Sequence, residues 1–429
     1  MTGAGKISSF FVNPAGIIIW ALAAAALYYN RLALPAGICL IFCLLFLSSW
    51  LWAKYALTNV EAKVPSGIQC AFPGGSFSFP FSVSNKKLLP LIWIELAVPL
   101  AKGGCVAPAS EENSKMLYDP ETDGEVPGAS ACVPWILWHQ EASSEISLKA
   151  VCRGLCTISK AAVSSGDLLG LGIKEKMLSF QAPPSFAVYP AVFPVETQGL
   201  IQGTTDMEAG KNGYMEDVTL LKMNRPYQPG DPAKKINWRQ LARQDRVFVN
   251  VHETVFPKLA TFFLDLASFR EGTKERNTLN SSEYTIWKLL RMPLEDMISL
   301  TASCILKLDE SRICCGLIIP GTSEDNCVIQ YPGKHGSSPE ELLYSLAAVD
   351  YHAEDVSVPV WEIADHFSML GTLYIVTCSY DSMTIDPEAF SGLGSAAVLA
   401  RYPSKADETC PLKLFYLENL KQAPGQQQV

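Results

Sequence analysis

The stretch richest in chemistry-bearing side chains is Arg225-Pro226-Tyr227-Gln228-Pro229-Gly230-Asp231-Pro232-Ala233-Lys234-Lys235-Ile236-Asn237-Trp238-Arg239-Gln240-Leu241-Ala242-Arg243. Pro229, Gly230, Asp231 and Pro232 are turn-forming residues. Arg239 and Arg243 lie four apart and share one face of a short helix. The spacing therefore brings one carboxylate, Asp231, near two guanidiniums, which suits charge-assisted hydrogen bonding to an anionic group. Tyr227, Gly230, Asp231, Trp238, Arg239 and Arg243 are the binding candidates. Trp238 and Ile236 read as a lock, with a buried indole fixing the turn. The arginines suit a lock or a docking surface for an acidic partner equally well.

Motifs for catalysis are missing elsewhere. His139, His252, His335, His352 and His366 are scattered without metal-ligand spacing. Cys39/Cys43, Cys152/Cys156 and Cys314/Cys315 include no C-x-x-C, so zinc and dithiol chemistry lack a signature. There is no P-loop, H-E-x-x-H or G-x-S-x-G, and Gly170-Leu171-Gly172 is too short for a dinucleotide loop. The chain is expected to be no enzyme and to use no cofactor.

The elements that position the central stretch follow from hydropathy periods. Segments such as Ser76 to Val83, Leu91 to Val98 and Ile146 to Ala150 alternate with a period of two, which predicts antiparallel strands and a β-sandwich over 57–195. Ala101 to Ser130, rich in Gly, Pro, Ser and acidic residues, reads as an exposed loop. A linker over 196–253 carries the motif. Beyond it, 254–421 alternates apolar strands with helical stretches, which predicts a mostly parallel sheet with helices on both faces. Leu294, Met297, Ile298, Thr301, Ile305 and Leu308 share a helix face, with Pro293 in the first turn. Ser338-Pro339-Glu340-Glu341 opens a second helix. Phe269 to Arg291 reads as a lid, a partner loop or a disordered insert, and the polar tail 422–429 as disordered.

Two uncharged runs stand at the N-terminus, about 10–29 and 32–52 of a 1–56 segment, with Arg31 between them. Each has the about 20 residues needed to cross an about 30 Å hydrocarbon core, and aromatic residues mark their ends. The expectation is a two-helix transmembrane hairpin, a multi-pass cell-membrane location, and globular parts in the cytoplasm. Thirteen cysteines without repeated spacing fit reduced thiols, in line with that compartment. The net charge of −9 excludes nucleic acid as a main partner. The fold class is thus a membrane-anchored α+β multidomain chain.

The 225–243 run resembles the central motif of family 58 of the domains of unknown function, in which a Tyr-x-Pro-Gly-Asp turn, an Ile-x-Trp and an Ala-Arg pair occur in this order. Phe72-Pro73-Gly74, Leu89-Pro90-Leu91, Arg153-Gly154, Gly166-Asp167-Leu168-Leu169-Gly170-Leu171 and Val188-Tyr189-Pro190 agree, so the resemblance covers most of Phe72 to Glu253. It implies a sandwich followed by a domain similar to the von Willebrand factor A fold. It also implies a partner, an AAA+ ATPase of the MoxR type, with the chain acting as a non-enzymatic scaffold or adaptor that binds proteins at the lipid bilayer.

Domains of the von Willebrand type bind Mg²⁺ through Asp-x-Ser-x-Ser, because a hard cation takes oxygen ligands. Here the motif reads Asp265-Leu266-Ala267-Ser268-Phe269. Asp265 is in place, but both serine positions are lost, so Asp265 is expected to cap a strand end without holding a tight metal. Two alternatives compete with the adaptor: a metal-dependent adhesion or ligand-binding protein outside the cell, and a cell-envelope enzyme.

Overall fold

The computed structural model describes residues 14–101, 104–119, 124–205, 215–244, 246–255, 258–269, 283–321, 327–333, 336–349, 371–383, 396–404 and 410–421. The chain divides into two units, Met1–Tyr189 and Pro190–Val429.

The first unit contains helices α1 (Pro14–Tyr29) and α2 (Ala33–Ala56). Arg31, at φ 58°, makes the tight reversal between them. The Leu32 and Arg31 amides bond back to the carbonyls of Leu27 and Tyr28, so two otherwise open helix-end carbonyls are satisfied. Trp20 of α1 packs on Phe42 and Phe46 of α2, with ring centroids 5.6 and 5.9 Å apart.

Among the described residues only α2 is long and apolar enough to cross a bilayer. Its 24 residues extend about 36 Å. Leu34, Ile38, Ile41, Leu44 and Leu47 stand exposed along it, unlike the core helix of a water-soluble domain. The described helix α1, Pro14–Tyr29, has 16 residues, about 24 Å, short of the about 30 Å required. The expected two-span hairpin and multi-pass location are therefore corrected to one qualifying helix. Phe10 to Asn13 of the first uncharged run lie outside the described residues.

The sandwich strands are β1 (Val60–Lys63), β2 (Ile68–Ala71), β3 (Ser76–Asn85), β4 (Leu91–Pro99), β5 (Val106–Pro108), β6 (Ser114–Asp119), β7 (Gly124–Ile136), β8 (Glu141–Ala150), β9 (Gly154–Thr157), β10 (Lys160–Gly166), β11 (Ile173–Ser179) and β12 (Ser185–Val188). They form sheets in the orders β1-β3-β8-β5 and β11-β10-β4-β7-β6, with a small third sheet β2-β12-β9. Alternation decides the faces. Phe77, Phe79, Phe81 and Val83 of β3 turn inward, and Phe77 and Phe79 lie opposite Leu148 and Ile146 of β8. They share one core with Leu91, Ile94, Leu96 and Val98 of β4 and Ala161 and Val163 of β10. Each buried large side chain contributes roughly 1.5–3 kcal/mol. The segment expected as a long loop, Ala101 to Ser130, instead contains β5, β6 and the start of β7.

Helix α2 is fastened to this sandwich. Lys87, from the β3–β4 turn, donates to the carbonyls of Tyr55 and Ala56, and Lys174 of β11 donates to that of Lys54 at 3.3 Å. Cations thus meet the C-terminal carbonyls and the negative end of the helix dipole. Burial pulls the Lys87 ammonium down to about 8. Ser49 Oγ donates to the buried carboxylate of Asp167 at 2.6 Å, and that carboxylate also accepts the Gly172 and Leu169 amides at 2.7 and 3.2 Å.

In the second unit, α3 (Gln198–Thr205) precedes β13 (Met215–Pro226), α4 (Trp238–Gln244) and β14 (Phe248–Val255). There follow β15 (Leu259–Leu264), α5 (Glu283–Glu310), β16 (Cys314–Ile319), β17 (Val328–Gln330), α6 (Pro339–Ala348), β18 (Thr372–Thr377), β19 (Ala396–Ala400), β20 (Lys413–Tyr416) and α7 (Leu417–Leu420). The six-stranded sheet runs β17-β16-β15-β18-β19-β20, parallel except for β17. Its order reverses between β15 and β18, the switch point of an open α/β sheet. Leu294, Met297, Ile298, Thr301, Ile305 and Leu308 of α5 are all buried. Pro293, expected in a first turn, stands inside α5, because the helix opens ten residues earlier. Of the supposed insert, 283–291 continue that helix, and 270–282 lie outside the described residues, as does the tail 422–429. Ser338 caps α6 in a reciprocal box with Glu341. Gly371, at φ 70°, lies so close to Leu259 that a Cβ would stand 2.3 Å from its carbonyl oxygen.

Candidate functional site

Strands β13 and β14 pair antiparallel, Pro226 opposite Phe248, and the motif is the excursion between them. Its neck is closed by the Tyr227 amide on the Val247 carbonyl at 3.0 Å. Gln228-Pro229-Gly230-Asp231 then turns back, with the Asp231 amide 3.1 Å from the Gln228 carbonyl. Pro fits the second position of this turn and Gly230, at φ 107°, the third, where a side chain would be strained.

The carboxylate of Asp231 closes the turn a second time. It accepts the Gln228 amide at 2.9 Å and both arms of the Arg225 guanidinium, at 2.8 and 2.6 Å. The fork geometry is the one in which Arg binds a carboxylate most firmly. The Arg225 bond, then the Gln228 amide, holds the Asp231 carboxyl below its ordinary range. Arg225 is thus the residue that sequence reasoning missed, and the ion pair of Asp231 is with it rather than with Arg239 or Arg243. The available signal was a guanidinium six residues before the aspartate, across a Pro-Gly turn.

Helix α4 is tied to both strands by amide side chains. Asn237 Oδ1 caps the helix by accepting the Gln240 amide at 3.0 Å, while its Nδ2 donates to Asn250 Oδ1 at 3.0 Å. Asn224 Nδ2 donates to Gln240 Oε1 at 3.0 Å. Ile236 bridges to Val249, half-buried. With that face fixed inward, Trp238, Arg239 and Arg243 are left facing solvent. Trp238 is 63% exposed, so the expectation of a buried indole is corrected. Tyr227 is 41% exposed, and Arg246 and Lys234 are exposed too. In a chain of net charge −9, residues 225–247 carry six basic side chains against Asp231 and Asp245.

Asp265 is fully buried at the C-terminal end of β15, at the switch point. Its amide bonds to the Val376 carbonyl at 2.9 Å. Ser268 donates to the Asp265 carbonyl at 2.7 Å and accepts the Cys378 amide at 3.0 Å, so this hydroxyl ties the end of β15 to that of β18. Ala267 and Phe269 offer no side-chain oxygen to a cation. Among the described residues no group of three His, Cys, Asp or Glu is placed to hold a metal. A cavity of about 120 Å³ lined by Pro99, Leu117, Thr157 and Met177, among others, is well below the roughly 300 Å³ at which small-molecule sites begin.

No family model and no curated protein matches the chain. Among solved structures it is similar to that titled "AvmM Catalyzes Macrocyclization in Alchivemycin A Biosynthesis", at 12% identity and TM-score 0.20, over 30% of this chain and 88% of that one. A second is trypsin-activated alpha-2-macroglobulin from Escherichia coli, at 13% identity and TM-score 0.19, over 32% of this chain and only 9% of that one. A third is a cohesin ScaC from Acetivibrio cellulolyticus, at 12% identity and TM-score 0.17, over 30% and 99% of the two chains. Likenesses at this level carry no argument about fold or function.

Proposed function

We propose that the chain is a non-enzymatic adaptor, held at a bilayer by α2, that binds an acidic protein partner through Tyr227, Trp238, Arg239 and Arg243. The observation that carries this reading is the exposed indole of Trp238 beside exposed guanidiniums on a framed helix. Trp, Tyr and Arg are the residues that dominate binding energy at protein interfaces. A solvent-facing Trp also incurs an apolar hydration cost that burial under a partner removes. The Arg225–Asp231 pair holds the turn, so the remaining positive charge faces outward, complementary to an acidic surface.

The resemblance of the motif names the partner class, an AAA+ ATPase of the MoxR type. The test is affinity capture of the full chain from gently solubilised membranes, beside its Trp238→Ala, Arg239→Glu, Arg243→Glu variant. Enrichment of an AAA+ ATPase by the unaltered chain alone, declining as salt rises, is the expected result. Recovery of no such ATPase, or equal recovery by the variant, overturns the reading.

A further inference from the structure

The β3–β4, β7–β8 and β10–β11 turns lie at one end of the sandwich, the end where α2 enters. Register places them there: Val60, which follows α2, is opposite Asn85; Leu91 is opposite Ile136; and Gly166 is opposite Ile173. Buried Asn85 latches two of the turns by donating to the carbonyls of Leu89 and Leu137, both at 3.0 Å. The third is latched to the helix by Asp167 and Ser49.

These turns and the adjoining end of β7 expose apolar side chains. Leu88 is 78% exposed, Trp135 62%, Trp138 56%, Leu168 63% and Leu169 52%. Trp135 and neighbouring His139 are held at φ 48° and 54°, a conformation costly for bulky residues. The cations at this end are lysines. Lys174 is exposed, and Lys54 lies over the Trp50 and Tyr55 rings at 5.0 and 5.9 Å; Lys86 pairs with Glu61.

The depth of the turns along α2 identifies the occupant. Ser49 lies seven residues before the helix end at Ala56, roughly 10 Å back along the axis. About 20 residues from Ala33 exhaust a hydrocarbon core near Trp52. The Asp167–Gly172 turn, bonded to Ser49, therefore stands at the level where acyl chains give way to headgroups. Trp, Tyr, Leu and snorkelling Lys are the side chains that partition there.

We propose that these three turns are seated in the headgroup layer of an anionic bilayer, so that the sandwich lies against the membrane instead of hanging from it. This rests on the reading of α2 as an anchor. A protein partner at the same place would have to share it with the lipid around the helix.

The test uses the full chain in vesicles of phosphatidylcholine and phosphatidylglycerol with plain or brominated acyl chains. Trp135→Phe/Trp138→Phe removes two of nine tryptophans, both from exposed positions. The expected result is that bromine quenches a component of the emission that this variant lacks. Leu168→Asp/Leu169→Asp is expected to float with the vesicles yet lose that component. Equal bromine quenching with and without Trp135 and Trp138, or a pair as open to acrylamide in vesicles as in unfolded chain, overturns the docking while the anchor stands. So does shielding from acrylamide without bromine quenching, which marks a protein cover. A chain that does not float overturns the anchor and the docking together.

Discussion

The turns at the α2 end of the sandwich and the face of α4 are both basic and aromatic, yet they differ in the cation and in what accompanies it. The first has lysines, two of them donating to helix-end carbonyls, among exposed leucines. The second has Arg239 and Arg243 beside Trp238, while the neighbouring Arg225 of β13 is engaged by the Asp231 carboxylate. Lysine is a compact charge on a long apolar stem, suited to a headgroup layer; arginine is a planar fork suited to a carboxylate on another protein. Two surfaces of similar composition thus point to different partners.

The largest expected effect separates them by fastening. Asp167→Ala removes the acceptor of three hydrogen bonds at the α2 end, and is expected to lower stability by about 3 kcal/mol in thermal or chemical melts, while leaving the α4 face able to bind. Trp238→Ala is expected to do the reverse, costing about 2 kcal/mol of partner affinity, roughly 30-fold, with an unchanged melt. Ser49→Ala deletes one of the Asp167 bonds and is expected to cost about 1 kcal/mol by the same melts. Arg225→Lys keeps the charge but loses the fork, and faster hydrogen exchange at the Gln228 and Asp231 amides is the expected readout.

The smallest effects are in pH. Asp231 sits below its ordinary value of 3.8 when folded, so its contribution is full above that value and fades as pH falls through the folded one. Lys87 behaves oppositely. Folded at about 8 against 10.5 unfolded, it holds fewer protons in the native state between those values, so stability rises over that window. Melts of the chain and of Lys87→Met across that range are expected to diverge, and parallel curves would remove this distinction between the surfaces.

The sequence made some of this legible because the signals were local. Phe77, Phe79, Phe81 and Val83 alternate, and the α5 face from Leu294 to Leu308 repeats at helical spacing, so burial could be read from period alone. The α2 run was legible from its lack of charge. A shortage of charge does not measure a helix's length, and the described α1, Pro14–Tyr29, is shorter than the uncharged run suggests. Pro293 points to a first turn because that is where proline is best tolerated, yet α5 runs through it.

At the motif, helix spacing paired Arg239 with Arg243, but the partner of Asp231 came from the strand before the turn. The general habit of indoles places Trp238 inside, yet it is exposed. The amide pairs Asn224–Gln240 and Asn237–Asn250 turn the other face of α4 inward, and no one-dimensional pattern shows that. Ser49 and Asp167, 118 residues apart, are likewise joined only in the folded unit.

Alkaline carbonate extraction of membranes containing the full chain tests the anchoring claim most directly, since it strips proteins held only by surface charge. Retention in the sedimented membranes is the predicted result; release into the supernatant would contradict the account.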